Sequence, residues 1–262
     1  MSQIPLPTLY SLQHCPYAMR ARLGLLLAKQ KVMLKAVVTK NKSEEMLALS
    51  PKGTVPVLVL EDVVEGHGES VKGSEDKSRG ESESGIEVKV EVKVRLEAES
   101  TDKIKPPKII DESVDIMLWA LNINDPDDLL LSQTPEALPV MLELISYNDK
   151  VFKPLLEQYK DAKRYHKDTE ANLRTQCESF IQALELRLSQ HQYLMGNNLS
   201  LLDFALLPFV RQFARVDRHW YLQSPYPLLR QWLKDHLDRP LFSRMMKKFP
   251  LYSETGEAYP FG

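Results

Sequence analysis

The sequence predicts two joined structural parts, a small α/β unit at the amino-terminal end and an all-helical part after it. Short apolar segments alternate with helical segments as far as about Leu121, an order that is typical of α/β units. From about Tyr147 onward, the apolar residues recur three or four positions apart, as they do on one face of a helix. A charged stretch at residues 61–105 interrupts the first part.

The first part reads as a strand, a helix, a strand and a helix, followed by two strands and a last helix. The predicted elements are, in order, strand 7–12, helix 16–29, strand 34–39, helix 43–49, strand 54–60, strand 109–110 and a helix from Ser113 to about Leu121. The first helix begins with Pro16, and proline is well tolerated in a first helical turn. We expect Ser113 to cap the last helix of this part.

Residues 61–105 differ in composition from the rest of the chain. They contain 13 acidic and 8 basic residues, half of the ten glycines, and neither aromatic residues nor proline. Residues 70–84 have too little apolar character to offset the entropy of ordering, so we expect a mobile loop there. Residues 86–99 alternate strictly between apolar and charged side chains, which predicts a half-buried strand. We therefore interpret this segment as an insertion that forms a long β-hairpin.

The second part begins after a segment at residues 122–139 that is rich in Asn, Asp and Pro. Its longest predicted helix has one apolar stripe, formed by Leu173, Cys177, Ile181, Leu184 and Leu188. Another helix begins at Ser200, where Asp203 occupies the third helical position of a capping box. Two further helices are predicted at residues 228–237 and 241–249. The domains are accordingly residues 1–122 and 140–262.

The composition excludes several classes of protein. The chain has 262 residues and a formal net charge of -2, whereas nucleic-acid-binding domains are strongly basic. No apolar run is long enough to span a bilayer, and the first residues lack the features of an export signal. Two cysteines do not make a disulfide framework. We therefore expect a cytoplasmic protein that binds neither nucleic acid nor membranes.

Cys15 is the strongest candidate for a catalytic residue. It lies between the first predicted strand and the first predicted helix, where free backbone N–H groups and the helix dipole favour a thiolate. Ala18 stands where a dithiol oxidoreductase has its second cysteine, so a disulfide at Cys15 needs an external thiol. This indicates a small-thiol partner such as glutathione. The alternative interpretation is that Cys15 is a buried apolar residue.

Two further motifs indicate ligand binding. Val55-Pro56 stands at the entry to a predicted strand and is a candidate cis peptide, which exposes the backbone of Val55 to an extended peptide ligand. Glu112-Ser113 stands at the head of a helix, where a carboxylate, a hydroxyl and free N–H groups suit an amino-acid-like ligand. Plain helix capping is the alternative for this pair. The six histidines show no metal-ligand spacing, so no metal site is expected.

Together, these motifs resemble those of the glutathione transferase family. The matching residues are Cys15-Pro16-Tyr17-Ala18, the segment from Ser50 to Leu58, Glu112-Ser113, and Ser200 to Asp203. The resemblance covers roughly residues 6–60 and 106–250. It implies a thioredoxin-like amino-terminal domain and a helical-bundle carboxy-terminal domain, and it is nearest to the cysteine-bearing, omega-like and glutaredoxin-like branch.

The resemblance also implies roles for individual residues. Cys15 is the implied catalytic nucleophile, which forms a mixed disulfide with glutathione as the cosubstrate. The implied glutathione-binding residues are Tyr17, Lys42, Thr54, Val55, Pro56, Glu112 and Ser113. In the family the Val-Pro bond is cis and the valine backbone pairs with the cysteinyl part of glutathione, whereas the acid-serine pair holds the γ-glutamyl end.

The implied activity is that of a thiol transferase or dehydroascorbate reductase. Three alternatives stay open. Other branches conjugate glutathione to electrophiles by activating it with a hydroxyl, for which Tyr10, Ser11 and Tyr17 are the candidates. Some relatives keep the fold as stress regulators on RNA polymerase, and others are channel-like intracellular proteins. Many family members are dimers, so a homodimer is one further possibility.

The disulfide or electrophile that serves as second substrate is expected between the two domains. Tyr147, Phe152, Tyr159 and Arg211 lie on stretches that face this region, although aromatic residues at helical spacing are usually core residues. We interpret Arg211, Arg215 and Asp217 first as an ion-pair network and second as part of a substrate site. Cys177 lies on the apolar stripe and is expected in the core.

Overall fold

The structure is a computed structural model that describes residues 5–38, 43–60 and 107–262. The hairpin and loop predicted for residues 61–105 lie outside these ranges, as does Lys42. No described helix combines the length and the apolar character that crossing a membrane requires.

A mixed sheet of five strands in the order β4-β3-β1-β2-β5 forms the first layer. Strand β1 is parallel to β2 and antiparallel to β3, whereas β4 and β5 run antiparallel to their neighbours β3 and β2. The strands are β1 Thr8–Ser11, β2 Val32–Ala36, β3 Val57–Leu60, β4 Lys108–Ile110 and β5 Tyr259–Phe261. The first four strands and their helices form the predicted thioredoxin-like unit.

Three helices belong to this unit: α1 Pro16–Leu27, α2 Glu44–Leu49 and α3 Ser113–Ile123. Every residue of α1 from Ala18 to Leu27 is buried, because α1 also packs against α7 and α10 of the helical part. Ser43 precedes α2 and its hydroxyl accepts a hydrogen bond from the Met46 N–H at 3.2 Å. The expected cap at Ser113 is wrong, since Glu112 is the N-cap residue and Ser113 is the first helical residue.

From Ala137 to Thr255 the chain consists of helices and the segments that connect them. The helices are α4 Ala137–Tyr147, a π-helical turn Asn148–Phe152, α5 Lys153–Arg164, α6 Glu170–Gln190, α7 Leu201–Val216, α8 Arg218–Gln223, α9 Pro227–Asp238, α10 Pro240–Met245 and α11 Tyr252–Thr255. The predicted stripe on α6 is confirmed, with Cys177, Ile181, Leu184 and Leu188 in the core. The fold is thus the predicted thioredoxin-like domain with a helical-bundle domain.

The capping box at the start of α7 is present, and it does more than close the helix. Asp203 is fully buried. One of its carboxylate oxygens accepts hydrogen bonds from the N–H and hydroxyl of Ser200 at 3.0 and 2.8 Å. The other accepts from the Leu194 N–H at 3.1 Å and the Trp232 indole N–H at 2.9 Å. Asp203 therefore fixes α7 against the preceding loop and against α9.

Two features differ from the sequence prediction. Helix α4 begins at Ala137, within the segment predicted as the boundary. Pro139 is its third residue, a position whose N–H has no partner within a helix, so the proline costs no helical hydrogen bond there. The chain also ends in a strand rather than in a helix, since β5 returns to the first sheet and pairs with β2.

Candidate active site

Cys15 lies in the turn between β1 and α1 and is the N-cap residue of α1. Its side chain is half-buried and makes no capping hydrogen bond. The thiol contacts the carbonyl oxygen of Val55, at an Sγ to oxygen distance of 3.8 Å. The sulfur thus lies between the amino-terminal end of a helix, where N–H groups have no helical partner, and the turn that leads into β3.

The Val55–Pro56 peptide bond is cis, as the resemblance implies. The turn before it depends on Gly53, whose φ of 59° is in the left-handed region that glycine adopts without strain. Thr54 is exposed and Val55 is half-buried. A cleft of about 250 Å³ is lined by Leu12, Cys15, Tyr17, Val37, Val38, Gly53, Thr54 and Val55. The structure therefore brings Cys15, Tyr17, Thr54 and Val55 together, beside one cleft.

Glu112 and Ser113 lie at the head of α3 and do not line this cleft. Glu112 is exposed, and one of its carboxylate oxygens is 2.7 Å from the ammonium group of Lys52. The same ammonium is 3.1 Å from Asp111. Favourable contacts with these two carboxylates raise the pKa of Lys52, with Glu112 as the main cause. Ser113 is buried, at 3% relative exposure.

Arg20 is a residue at the site that the sequence analysis missed. Its guanidinium is fully buried and makes two parallel bonds of 2.8 Å to the carboxylate of Asp149 in the π-helical turn. It also donates to the hydroxyl of Ser113 at 3.2 Å and to the carbonyl of Ala205 at 3.0 Å. Arg20 thus joins α1 and the head of α3 to the helical domain. The sequence feature that could have revealed Arg20 is the presence of a charged residue within the apolar run of α1.

Arg22 is the second buried arginine of α1, and it too was missed. It donates to the hydroxyl of Ser11 at 2.8 Å and to the carbonyl of Met245 at 3.3 Å. In the described part of the chain no carboxylate forms a salt bridge with it. Burial lowers the pKa of Arg22 to about 10, and the negative charge of an ionised Cys15 acts in the opposite direction. A buried cation therefore lies within electrostatic range of the sulfur.

The three candidate hydroxyls have different environments. Tyr10 and Ser11 are fully buried, and burial is the main cause that raises the pKa of Tyr10. Tyr17 lines the cleft with Cys15. Burial, followed by the negative charge of Asp149, raises the pKa of Tyr17 to about 12. Of the three, only Tyr17 is in position to meet a ligand in this cleft, and its phenol is neutral at physiological pH.

In the region between the domains, Phe152 and Tyr159 follow the core interpretation, whereas Asp217 differs from the expected ion-pair network. Phe152 and Tyr159 are core residues, at 1% relative exposure each, and Tyr147 packs against Phe180. Asp217 does not pair with Arg211 or Arg215 as expected. It instead contacts Lys163 at 2.7 Å. As the N-cap residue of α8, it also accepts a hydrogen bond from the Trp220 N–H.

Cys177 is fully buried on α6, as expected. Burial raises the pKa of its thiol to about 12, so this cysteine is neither accessible nor ionised. Among the residues with described positions, no group of three or more His, Cys, Asp or Glu side chains is arranged to hold a metal ion.

Comparison with known protein families gives two matches. The glutathione S-transferase N-terminal domain matches residues 9–76, and the glutathione S-transferase C-terminal domain matches residues 154–235. A comparison with curated proteins gave no match.

Several solved structures share the fold over nearly the whole chain. A glutathione transferase from Pseudomonas putida, with one glutathione disulfide bound per subunit, has a TM-score of 0.68 at 16% identity over 94% of this chain and 93% of that one. A family member from Pseudomonas fluorescens, with two glutathione bound, has a TM-score of 0.67 at 14% identity over 94% of both chains. Glutathione transferase Omega 3C from Trametes versicolor has a TM-score of 0.64 at 17% identity over 96% of this chain and 93% of that one.

Proposed function

Because the chain belongs to the glutathione transferase family, we propose that it is a glutathione-dependent thiol transferase or reductase that acts through a mixed disulfide between Cys15 and glutathione. The observation that carries this proposal is the position of the Cys15 sulfur. It lies 3.8 Å from the carbonyl oxygen of Val55, beside the cleft of about 250 Å³. A nucleophile at this point meets a ligand that lies along the backbone of Val55.

Residues in the cleft and at the head of α3 suit different parts of glutathione. The N–H of Val55 makes no hydrogen bond to another described residue, so it is available to an extended peptide ligand. Lys52, Glu112 and the head of α3 carry charges of both signs, which suit the ammonium and carboxylate groups of a γ-glutamyl end. The proposed binding residues are Tyr17, Lys42, Thr54, Val55, Pro56, Glu112 and Ser113.

The proposed reaction consists of two thiol–disulfide exchanges. The thiolate of Cys15 attacks the glutathione sulfur of a glutathionylated substrate, the substrate's S–S bond breaks, and the substrate thiolate leaves and takes up a proton. Cys15 is released when a second glutathione thiolate attacks the same glutathione sulfur, which yields glutathione disulfide. Overall, one free glutathione thiol is consumed: its sulfur and the glutathione sulfur of the substrate end in glutathione disulfide, and the substrate is released as a thiol. In this proposal, the neutral phenol of Tyr17, which lines the same cleft, supplies a hydrogen-bond donor for the sulfur of bound glutathione.

The first test measures covalent capture of glutathione. Wild type and the Cys15→Ser and Cys177→Ala variants are incubated with oxidised glutathione and analysed by intact mass. We expect one glutathione adduct on wild type and on Cys177→Ala, because Cys177 is fully buried. We expect no adduct on Cys15→Ser. Transfer activity with glutathione and a small mixed disulfide falls by at least about 100-fold in Cys15→Ser, since the nucleophile is lost.

Two results would contradict this proposal. A wild type that takes up no adduct and transfers no thiol has a structural cysteine at position 15. A Cys15→Ser variant that keeps full transfer activity uses another nucleophile.

Conjugation of glutathione to electrophiles is the second candidate function, favoured by the position of Tyr17 in the same cleft. In this case the phenol holds the glutathione thiolate by a hydrogen bond, and no bond to Cys15 forms. Cys15→Ser then keeps its conjugating activity, whereas Tyr17→Phe loses it. A chain that has neither activity and copurifies with a large partner serves as a binding protein.

The compartment and the assembly state belong to the same proposal. Both cysteines are free thiols, which suits a reducing cytoplasm. Light scattering in solution distinguishes a monomer of 30.1 kDa from a homodimer.

A further inference from the structure

A second cleft, of about 290 Å³, opens on the other side of the Cys15 turn. His14 and Pro16, the two chain neighbours of Cys15, form one wall of this cleft. The opposite wall comes from the helical domain, where α7 contributes Arg211 and Arg215 and α5 contributes Lys160. Cys15 itself lines the first cleft, so the second cleft lies between the chain neighbours of Cys15 and the helical domain.

The charges along this cleft are of one sign. No carboxylate lines it, and neither Arg211 nor Arg215 has a salt bridge with another residue in the described ranges. Arg211 lies 5.4 Å from the centroid of the Phe242 ring, which holds the guanidinium in position. The nearby carboxylate of Glu157 is shared between Lys153 and Lys160. Two arginines of α7 therefore contribute uncompensated positive charge.

The cations along this cleft act on one another. Burial, followed by the charge of Arg215, lowers the pKa of Arg211. Burial, followed by the charges of Arg211, Arg215 and Arg22, also lowers the pKa of His14. Like charges that are partly removed from water cost free energy unless an anion compensates them. The adjoining cleft of about 680 Å³ adds Arg218 and Arg230 to this positive surface. Its one carboxylate, Asp238, is paired with Lys234 at 2.8 Å, so the surface attracts anions from solution.

We propose that the cleft formed by His14, Lys160, Arg211 and Arg215 binds an anionic group of the second substrate, so that the preferred partner of Cys15 carries a carboxylate or a similar anion. This inference rests on the proposed function for the thiol-transfer step. The two arginines are specificity-determining residues and take no part in bond making.

The first experiment measures the charge preference of Cys15 without glutathione. In both iodoacetate and iodoacetamide, the thiolate displaces iodide. The two reagents differ only in that the first has a carboxylate where the second has a neutral amide. Cys177 is fully buried, so intact mass reports on Cys15. The rate constant for iodoacetate is divided by that for iodoacetamide, and this ratio is divided by the same ratio for free mercaptoethanol. The result is expected to be at least about 5 at low salt. High salt should reduce the ratio.

Variants of the arginines test where the preference comes from. Arg215→Gln should reduce the ratio, and the double variant Arg211→Gln/Arg215→Gln should bring it close to 1. Arg164→Gln is the matched control, because it removes the same charge from an exposed position on α5 outside both clefts. Its ratio should equal that of wild type.

The second experiment measures transfer from two mixed disulfides of glutathione, one with 3-mercaptopropionate and one with its amide. We expect wild type to prefer the carboxylate by at least about fivefold in kcat/KM. In the double variant, the ratio of kcat/KM for the carboxylate to kcat/KM for the amide should fall to about 1.

The two experiments separate this inference from the proposed function. An alkylation preference that depends on the arginines, together with no thiol transfer, supports the anion site and overturns the proposed function. An alkylation ratio near 1, or one unchanged in the double variant, overturns the anion site whatever the transfer assay shows. Equal transfer from the two disulfides also overturns the proposed substrate class.

Discussion

At the scale of single residues, the most consequential side chain is Arg20. A fully buried cation is tolerated only where its charge and its N–H groups are satisfied. Asp149 supplies the charge, and Ser113 and Ala205 supply further acceptors. The ring of Phe209 lies 4.5 Å from the guanidinium carbon and shields it from water. One side chain thereby links the proposed γ-glutamyl site to the helical domain.

The pair with Asp149 can be tested by Asp149→Asn. This change leaves the Arg20 charge buried without a counterion, so we expect the free energy of unfolding to fall by about 3 kcal/mol. Because Ser113 bonds to the same guanidinium, the KM for glutathione should rise more than kcat falls. Urea unfolding and steady-state kinetics measure the two effects.

The control for this variant is Asp161→Asn, which breaks an exposed pair with Lys167. Exposed pairs contribute little, so a change below about 1 kcal/mol is expected there. Equal losses in the two variants would show that the burial of Arg20 is not what makes its pair important.

His236 gives the folded state a pH dependence. It is buried among aromatic rings, with the centroid of Trp232 4.5 Å away. Burial is the main cause that lowers its pKa, and the charge of Arg239 adds to it. The hydrogen bond with the Trp232 carbonyl and the charges of Asp203 and Asp235 oppose this shift. The folded state therefore favours neutral His236 more strongly than the unfolded state does.

The sign of the pH effect follows from this difference. In the unfolded chain the histidine titrates near its ordinary pKa of about 6.5. Below that pH the unfolded state binds a proton that the folded state does not, so the contribution is complete above pH ~6.5 and is lost as the pH falls. The loss is at most ~1.4 kcal/mol per pH unit. Urea unfolding at several pH values between 5 and 8 gives the free energy of unfolding at each pH. This free energy should rise less steeply with pH for His236→Phe than for wild type.

The exposed His219 on α8 serves as the comparison. His219→Phe should leave the pH dependence of the free energy of unfolding unchanged. A slope that is the same in wild type and His236→Phe would assign the acid sensitivity to other groups.

At the scale of secondary-structure elements, the sequence predicted the parts that local chemistry determines. The turn at Cys15-Pro16, the cap at Ser200 and the stripe on α6 each depend on residues close together in the chain, and each is present. The sequence did not reveal Arg20 or Arg22 as site residues, because all partners of Arg20 and the Met245 partner of Arg22 lie between 93 and 223 positions away. Their apolar neighbours in α1 give no helical periodicity, since α1 is buried on nearly all sides.

The crossing of α1 and α3 depends on one glycine. A Cβ atom at Gly24 would lie 2.8 Å from the Cα of Met117 and 2.7 Å from its Cγ. The backbone of α3 has to move to make room, so Gly24→Ala should lower the free energy of unfolding by about 2 kcal/mol. In a helix without such a close contact, replacing glycine by alanine raises the free energy of unfolding. A decrease would therefore point to the contact with Met117. Chemical unfolding measures this effect.

Gly196→Ala is the matched control, because a Cβ there meets no atom within 4 Å. We expect a change of less than about 0.5 kcal/mol. A Gly24→Ala variant as stable as wild type would mean that the two helices separate without cost.

At the scale of the whole molecule, the two domains are joined along α1 and again by the end of the chain. Strand β5 pairs with β2, and the Arg22 guanidinium bonds to the carbonyl of Met245 at the end of α10. The sequence did not predict β5, because a segment of three residues carries too little pattern to be read as a strand. What makes it a strand is the free edge of β2, a feature of the assembled sheet.

Phe261 tests how much this return of the chain contributes. Its side chain is 6% exposed and lies 6.2 Å from Phe249, centroid to centroid, whereas its neighbour Pro260 in the same strand is exposed. Phe261→Ala removes apolar surface from the junction, so the free energy of unfolding should fall by about 3 kcal/mol. The control variant, Pro260→Ala, should change it by less than about 0.5 kcal/mol. Because β5 covers the edge of β2, Phe261→Ala should also increase self-association, which light scattering detects. Equal stability of the two variants would show that the domains are held together along α1 alone.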